Sequence, residues 1–296
     1  MKTIVRTDIQ LKNILYMTDF SPAADAAAPY AAELAKRYGA KLHSLHVRPP
    51  VINPMTPPET WKGFEDAAEI VAERNKRDLL QRFAGVQTEV LIADGDFWNN
   101  VEDATEQRKI DMIVMGTRGR SGIGKLLLGS IAEEVFRKAS CPVLTVGPHA
   151  PAQPKQGGEF TRILFATDFS PESEGAAAYA ISLAQECQAN LIMMHVIAEP
   201  KAGDLVGPAE LAASYEQRLR NLVSPEAELW CVPEYLVASG KPAEMILEVA
   251  TKQKVDVIVL GVRKPSGVPG AATHLPIATA HRVVSQAPCP VLTVRN

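Results

Sequence analysis

The chain is poor in cysteine. Its four, Cys141, Cys187, Cys231 and Cys289, are spread over 296 residues with no CxxC pair among them. That spacing excludes a disulfide framework and makes a reducing cytoplasm the expected setting. Long hydrophobic runs are also missing. No stretch approaches the roughly 20 apolar residues that cross a bilayer, so no membrane association is expected. The opening MKTIVRTDIQLKNILYMTDF has charges throughout and no apolar core followed by a cleavage site, which argues against a secretory signal. There is no excess of one charge either. A formal net charge of −3, with both signs interspersed, speaks against a dedicated nucleic-acid binder.

What is present is repetition. KNILYMTDFSP at 12–22 returns as TRILFATDFSP at 161–171, and KIDMIVMGTRGRSG at 109–122 as KVDVIVLGVRKPSG at 254–267. AKLHSLHVRPP at 40–50 matches ANLIMMHVIAEP at 189–200, and CPVLTV at 141–146 recurs unchanged at 289–294. Four matches in one order imply a duplication. The expected organisation is therefore one domain over 1–147, a Pro-, Gln- and Gly-rich flexible linker over 148–160, and a second domain over 161–296.

Within the first copy, buried strands are predicted at Ile14–Met17, Leu42–Val47, Thr88–Ile92, Met112–Met115 and Val143–Val146. Helices are predicted between them. The first has Ser21 as N-cap, Pro22 at its first position, Gly39 at its end and Pro29 inside, where a bend or a lost hydrogen bond is expected. The others fall at 59–83, with Trp61, Phe64, Ala68 and Val71 on one face, at 97–108 and at 130–140. Alternating strands and helices define an α/β fold: two tandem doubly wound, five-stranded parallel sheets of order 3-2-1-4-5 (Rossmann-like). In that order a ligand sits beyond the ends of strands 1 and 4, which selects Asp19 and the turn from Gly116. The two CPVLTV strands are expected at sheet edges, pairing either the halves of one chain or two chains.

The segment from Gly116 to Ser130 is rich in glycine, carries Arg118, Arg120 and Lys125, and holds no acidic residue. Gly116 and Gly119 suit a tight turn and close approach of a ligand to the backbone. Gly129 and Ser130 stand at a helix start, where free N–H groups favour an anion, and Ser130 with Glu133 fits a capping box. A Walker A loop fails at Leu126 and a dinucleotide fingerprint at Leu127. His43 and His46 point to opposite faces of one strand and are not expected to share a metal; His46 and its equivalent His195 are expected to fill a structural niche. Asp19 is open to two roles, a ligand contact or a cap for the helix beginning at Pro22.

The spacing Gly116, two residues, Gly119, nine residues, Gly129-Ser130, together with the TDFSP and CPVLTV segments, resembles the universal stress protein family in its tandem form. The resemblance implies that the first copy belongs to the ATP-binding branch. It places Met17, Thr18 and Asp19 at the nucleoside end, Val47 at the adenine, and Met115 and Gly116 on the floor. Arg118, Gly119, Gly129, Ser130 and Ile131 fall beside the phosphates. Mg²⁺ would bridge the phosphates, and no metal-ligating side chain is expected. In the second copy Lys264 replaces Gly119, while Ile277 and Ala278 stand in place of Gly129 and Ser130, so no triphosphate is expected there. The function expected is that of a stress-associated regulatory protein whose adenine nucleotide governs binding to a protein partner, with an intramolecular pseudo-dimer and a homodimer. Slow ATP hydrolysis and a nucleotide-free scaffold are the alternatives, although the sequence shows no general base.

Overall fold

The computed structural model describes residues 9–48, 58–117, 128–154, 160–198, 207–228, 232–262 and 275–295. The first copy runs β1 (Asn13–Met17), α1 (Pro22–Tyr38), β2 (Lys41–Arg48), α2 (Pro58–Arg82), β3 (Thr88–Asp94), α3 (Phe97–Gln107), β4 (Met112–Gly116), α4 (Ser130–Lys138) and β5 (Val143–Val146). The second runs β6 (Arg162–Thr167), α5 (Pro171–Cys187), β7 (Asn190–Ile197), α6 (Pro208–Arg220), α7 (Pro225–Glu228), β8 (Glu234–Ser239), α8 (Pro242–Lys252), β9 (Val257–Gly261), α9 (Leu275–Gln286) and β10 (Val291–Val294).

Each half has the order 3-2-1-4-5 with parallel pairing throughout. The halves do not stop at separate sheets. β5 and β10 pair antiparallel, with Leu144 opposite Leu292, and fuse the two into one ten-stranded sheet of order β3-β2-β1-β4-β5-β10-β9-β6-β7-β8. The repeated CPVLTV strands thus pair the halves of one chain, and pairing removes both from the sheet edges. Two buried cores follow from strand alternation. Ile14 and Tyr16 face α1 and α2, together with Phe165 and α5 of the second copy. Leu15 and Met17 face α3 and α4, together with Leu164, α8 and α9.

Local signals operate largely as the sequence suggests. Ser21 accepts from the Ala24 N–H at 3.2 Å, Gly39 ends α1 in the left-handed conformation, and α1 runs unbroken through Pro29. The described start of the linker is held: Tyr30 Oη donates to the Pro151 carbonyl at 2.9 Å. The predicted face of α2 is displaced. Val71 is 53% exposed, whereas Ala72, Leu79 and Phe83 are buried. The helix and the residue that follows it meet the core through Ala72, Leu79 and Phe83; the side chains of Trp61 and Phe64 are outside the described residues.

Candidate functional site

The site begins where β1 ends. Thr18 continues the strand by donating its N–H to Leu45 O at 3.0 Å, and the chain then turns sharply at Phe20, whose φ is +58°. A left-handed conformation is strained for a bulky residue and persists only where its surroundings hold it. Here Thr18 Oγ1 accepts from the Phe20 N–H at 3.0 Å and Asp19 Oδ1 accepts from the Ser21 N–H at 3.0 Å. His46 Nδ1 lies 2.9 Å from the Thr18 carbonyl, and its ring meets Phe20 edge-on with centroids 4.8 Å apart. The second copy repeats the turn and its hydrogen bonds: Phe169 has φ +59°, and His195 Nδ1 is 2.8 Å from Thr167 O. These histidines are therefore built into the turn. His43 bonds instead to Asn13 Oδ1, at 3.1 Å from its Nε2, so the two histidines of β2 do not converge. Asp19 is not the cap of α1; Ser21 takes that role, and the Asp19 carboxylate braces the turn before it.

β4 supplies the floor. Gly116 is needed there for packing. A Cβ at this position would lie 2.4 Å from Ala23 O, in the backbone of the first turn of α1. Gly261 is in the same situation, with a Cβ falling 2.4 Å from Ser173 Cα. Both copies need this glycine for helix–strand contact, so it does not distinguish a binding copy from a silent one.

After Gly116 the chain is pinned again. Thr117 donates its N–H to Val146 O at 3.0 Å, and its carbonyl accepts from the Gly129 N–H at 2.9 Å. The two ends of the glycine-rich loop are thus drawn together beside β4. Arg118, Gly119, Arg120 and Lys125 lie between them, outside the described residues. The helix start corrects the capping-box expectation. Gly129 occupies the N-cap with extended backbone (φ −64°, ψ 150°) and no side-chain cap, so Ser130 is already the first helical residue. Its hydroxyl comes one position too late to cap, and Glu133 pairs with Arg137 at 2.7 Å instead. No N-cap side chain satisfies the first turn of α4, and N–H groups at such a helix start favour an anion.

These elements enclose a cavity of about 300 Å³. Of the residues selected from sequence, Met17, Thr18, Asp19, Val47, Met115, Gly116, Gly129, Ser130 and Ile131 all line it. The sequence reading missed Ala24, Leu45, Phe97 and Ala132. Phe97 opens α3 directly after the Asp96 cap, which accepts from the Asn99 N–H at 2.9 Å, so its ring rides on a rigid helix start. An aromatic residue immediately after a β3–α3 turn in this topology was the available signal. The cavity is thus lined by the apolar Leu45, Val47 and Phe97, by the Asp19 carboxylate and by the start of α4. Such a combination suits an elongated ligand with a flat apolar head and an anionic tail.

Comparison with known proteins agrees with this architecture. The model of the universal stress protein family matches the chain twice, over residues 10–147 and 159–295. The chain belongs to the universal stress protein family. A family member from Methanocaldococcus jannaschii is 32% identical over 152 residues, covering 49% of this chain and 88% of the relative. One from Mycolicibacterium smegmatis is 27% identical over 295 residues, covering 95% and 96% of the two chains. The tandem arrangement is thus shared along the full length of a relative. Among solved structures, a universal stress protein from Archaeoglobus fulgidus superposes with a TM-score of 0.73 at 23% identity, covering 97% of this chain and 99% of that one. That likeness supports the ten-stranded fold of this family member.

Proposed function

We propose that the first copy binds ATP and that the second holds no triphosphate. The observation that carries this reading is the uncapped start of α4, which opens into the same cavity as Asp19 and the apolar wall of Leu45, Val47 and Phe97. In this reading the base lies at the apolar wall with Val47 beside it, over Met115 and Gly116. Met17, Thr18 and Asp19 hold the sugar. The phosphates meet the N–H groups at Gly129, Ser130 and Ile131, with Arg118 and Gly119 contributing from the loop. Mg²⁺ is held by the phosphate oxygens. No group of three His, Cys, Asp or Glu side chains fit for a metal occurs among the described residues, so the protein offers no separate cage there.

The function that follows is signalling rather than turnover. Nucleotide occupancy stabilises one conformation of the protein, and a protein partner reads that conformation. Such a signal operates only if the partner binds the occupied and empty forms with different affinity. The free thiols Cys141 and Cys289 suit a reducing cytoplasm, and burial pushes both up to about 12. Any homodimer must use a surface other than β5 and β10, because each is already paired on both sides. Equilibrium titration of the full chain with ATP and Mg²⁺ tests the reading: saturable binding at one site per chain supports it, and no binding removes it.

A further inference from the structure

The turn into α3 is built differently from its counterpart in the second copy. Gly95 (φ +103°) and the cap Asp96 lead out of β3, and Phe97 is the first helical residue. Side chains hold this start in place. Asp96 accepts from the Asn99 N–H at 2.9 Å, and the Asn100 amide donates to Asp94 O at 3.1 Å and to Asp96 O at 2.8 Å. In the second copy Gly240 (φ +139°) makes the same turn, but Lys241 offers no side-chain cap and Pro242 opens α8. Met245 stands where the first copy has Asn100.

Proline suits the first position of a helix on local grounds alone, so Pro242 needs no further cause. Phe97 has no such local advantage, and its side chain lines the cavity beside Leu45 and Val47 of β2. The first copy thus carries a ring at the cavity wall on a main chain braced by Asp96 and Asn100; the second copy lacks the ring and both braces. Resting on the nucleotide reading above, we propose that Phe97 selects the ligand through its base. An aromatic ring packs on a flat π-system more favourably than its area alone provides, a preference that Leu45 and Val47 cannot supply. The ligand class is then a phosphate compound with an aromatic base, rather than any phosphate compound able to reach the start of α4. The second copy, with Pro242, lacks this selection at the base end as well as the Gly-Ser pair at the phosphate end.

The test titrates ATP with Mg²⁺ into the full chain and its variants Phe97→Trp, Phe97→Leu and Phe97→Pro. Phe97→Trp should stay within about twofold of wild type, and Phe97→Leu should weaken ATP by roughly five- to tenfold. Phe97→Pro installs the residue of the second copy, and the extended backbone of Asp96 (φ −68°, ψ 127°) accepts it; ATP should weaken by at least about tenfold, the scale of a lost base–aromatic contact. Leucine is closer to phenylalanine in volume than tryptophan is, so a role in packing alone predicts the opposite order. Inorganic triphosphate, measured as a competitor of ATP, should be weak and unchanged across the four proteins. Wild-type affinity in Phe97→Leu, equal losses in Phe97→Leu and Phe97→Trp, or a fall for triphosphate parallel to that for ATP overturns the proposal while the nucleotide reading stands. A wild-type chain that binds no ATP overturns the nucleotide reading and this proposal with it.

Discussion

Thr145 and Thr293 hold equivalent places in the two repeats, and each donates its hydroxyl to a carbonyl of the opposite copy. Thr145 reaches Val291 O at 3.1 Å and Thr293 reaches Val143 O at 3.3 Å. Acceptors and donors are themselves repeat equivalents, so the pair marks a local two-fold relation centred on Leu144 and Leu292. Both threonines are buried, and replacing each with valine keeps the shape while removing the bond. The double variant Thr145→Val/Thr293→Val should lose about 1–3 kcal/mol in urea unfolding, at roughly 0.5–1.5 kcal/mol per bond. An unchanged midpoint would show that the two hydroxyls contribute nothing to the junction.

The glycines that end β4 and β9 give a second prediction. Gly116→Ala and Gly261→Ala should both destabilise, by about 1–3 kcal/mol, since each new Cβ meets helix backbone that cannot swing aside. Thermal melts of the two variants without added ligand measure this. If only Gly116→Ala lost stability, the packing account of the second glycine would fail.

Acid should weaken the fold through its buried histidines. Burial is the largest influence on both His43 and His195 and holds each below the usual value of 6.5. Glu89 opposes the shift at His43, with Lys41 and Arg108 reinforcing it; at His195 the Thr167 carbonyl and Asp168 oppose it, with Arg218 reinforcing it. The unfolded chain therefore binds these protons first as pH falls. Their contribution to stability is complete above about pH 6.5 and declines as pH drops toward the lower folded values. Urea midpoints from pH 8 to pH 5 should fall, and His195→Gln should flatten that slope; a slope identical to wild type would assign the acid sensitivity elsewhere.

At the helix start, two substitutions of one residue separate hydroxyl from backbone. Ser130→Ala removes only the hydroxyl. Ser130→Pro also removes an N–H, and the helix should accept it, because Gly129 is extended and proline suits the first helical position. ATP affinity should fall little in the first variant and by roughly ten- to a hundredfold in the second, with thermal stability near wild type in both. Equal affinities in all three proteins would place the phosphates away from α4.

Much of this was legible in the sequence for identifiable reasons. Repeats announced the tandem halves, and apolar runs separated by helical patterns gave the strand order. Nine of the eleven selected site residues line one cavity; Arg118 and Gly119 fall outside the described residues. The failures have physical causes too. Val71 is apolar and so belongs to the expected face of α2, whereas the buried residues there are Ala72, Leu79 and Phe83. Serine favours the N-cap, which points to Ser130, but Gly129 satisfies the backbone geometry first and is pinned there by Thr117 O. Gly116 lines the cavity as expected, but its packing against α1, about ninety positions earlier in the chain, has no signal in the loop itself. That contact exists only once the sheet has formed. Phe97 belongs to the same class: its place in the cavity depends on where α3 starts relative to β2.

An ATP site in the first copy and no triphosphate in the second can be tested by counting. Freshly purified protein is denatured and the released small molecules are identified and quantified by chromatography and mass spectrometry, with a parallel sample first incubated with ATP and Mg²⁺. The account predicts one adenine nucleotide per chain at saturation. Two per chain would contradict the silence of the second copy, and none, with no uptake after incubation, would contradict the nucleotide site itself.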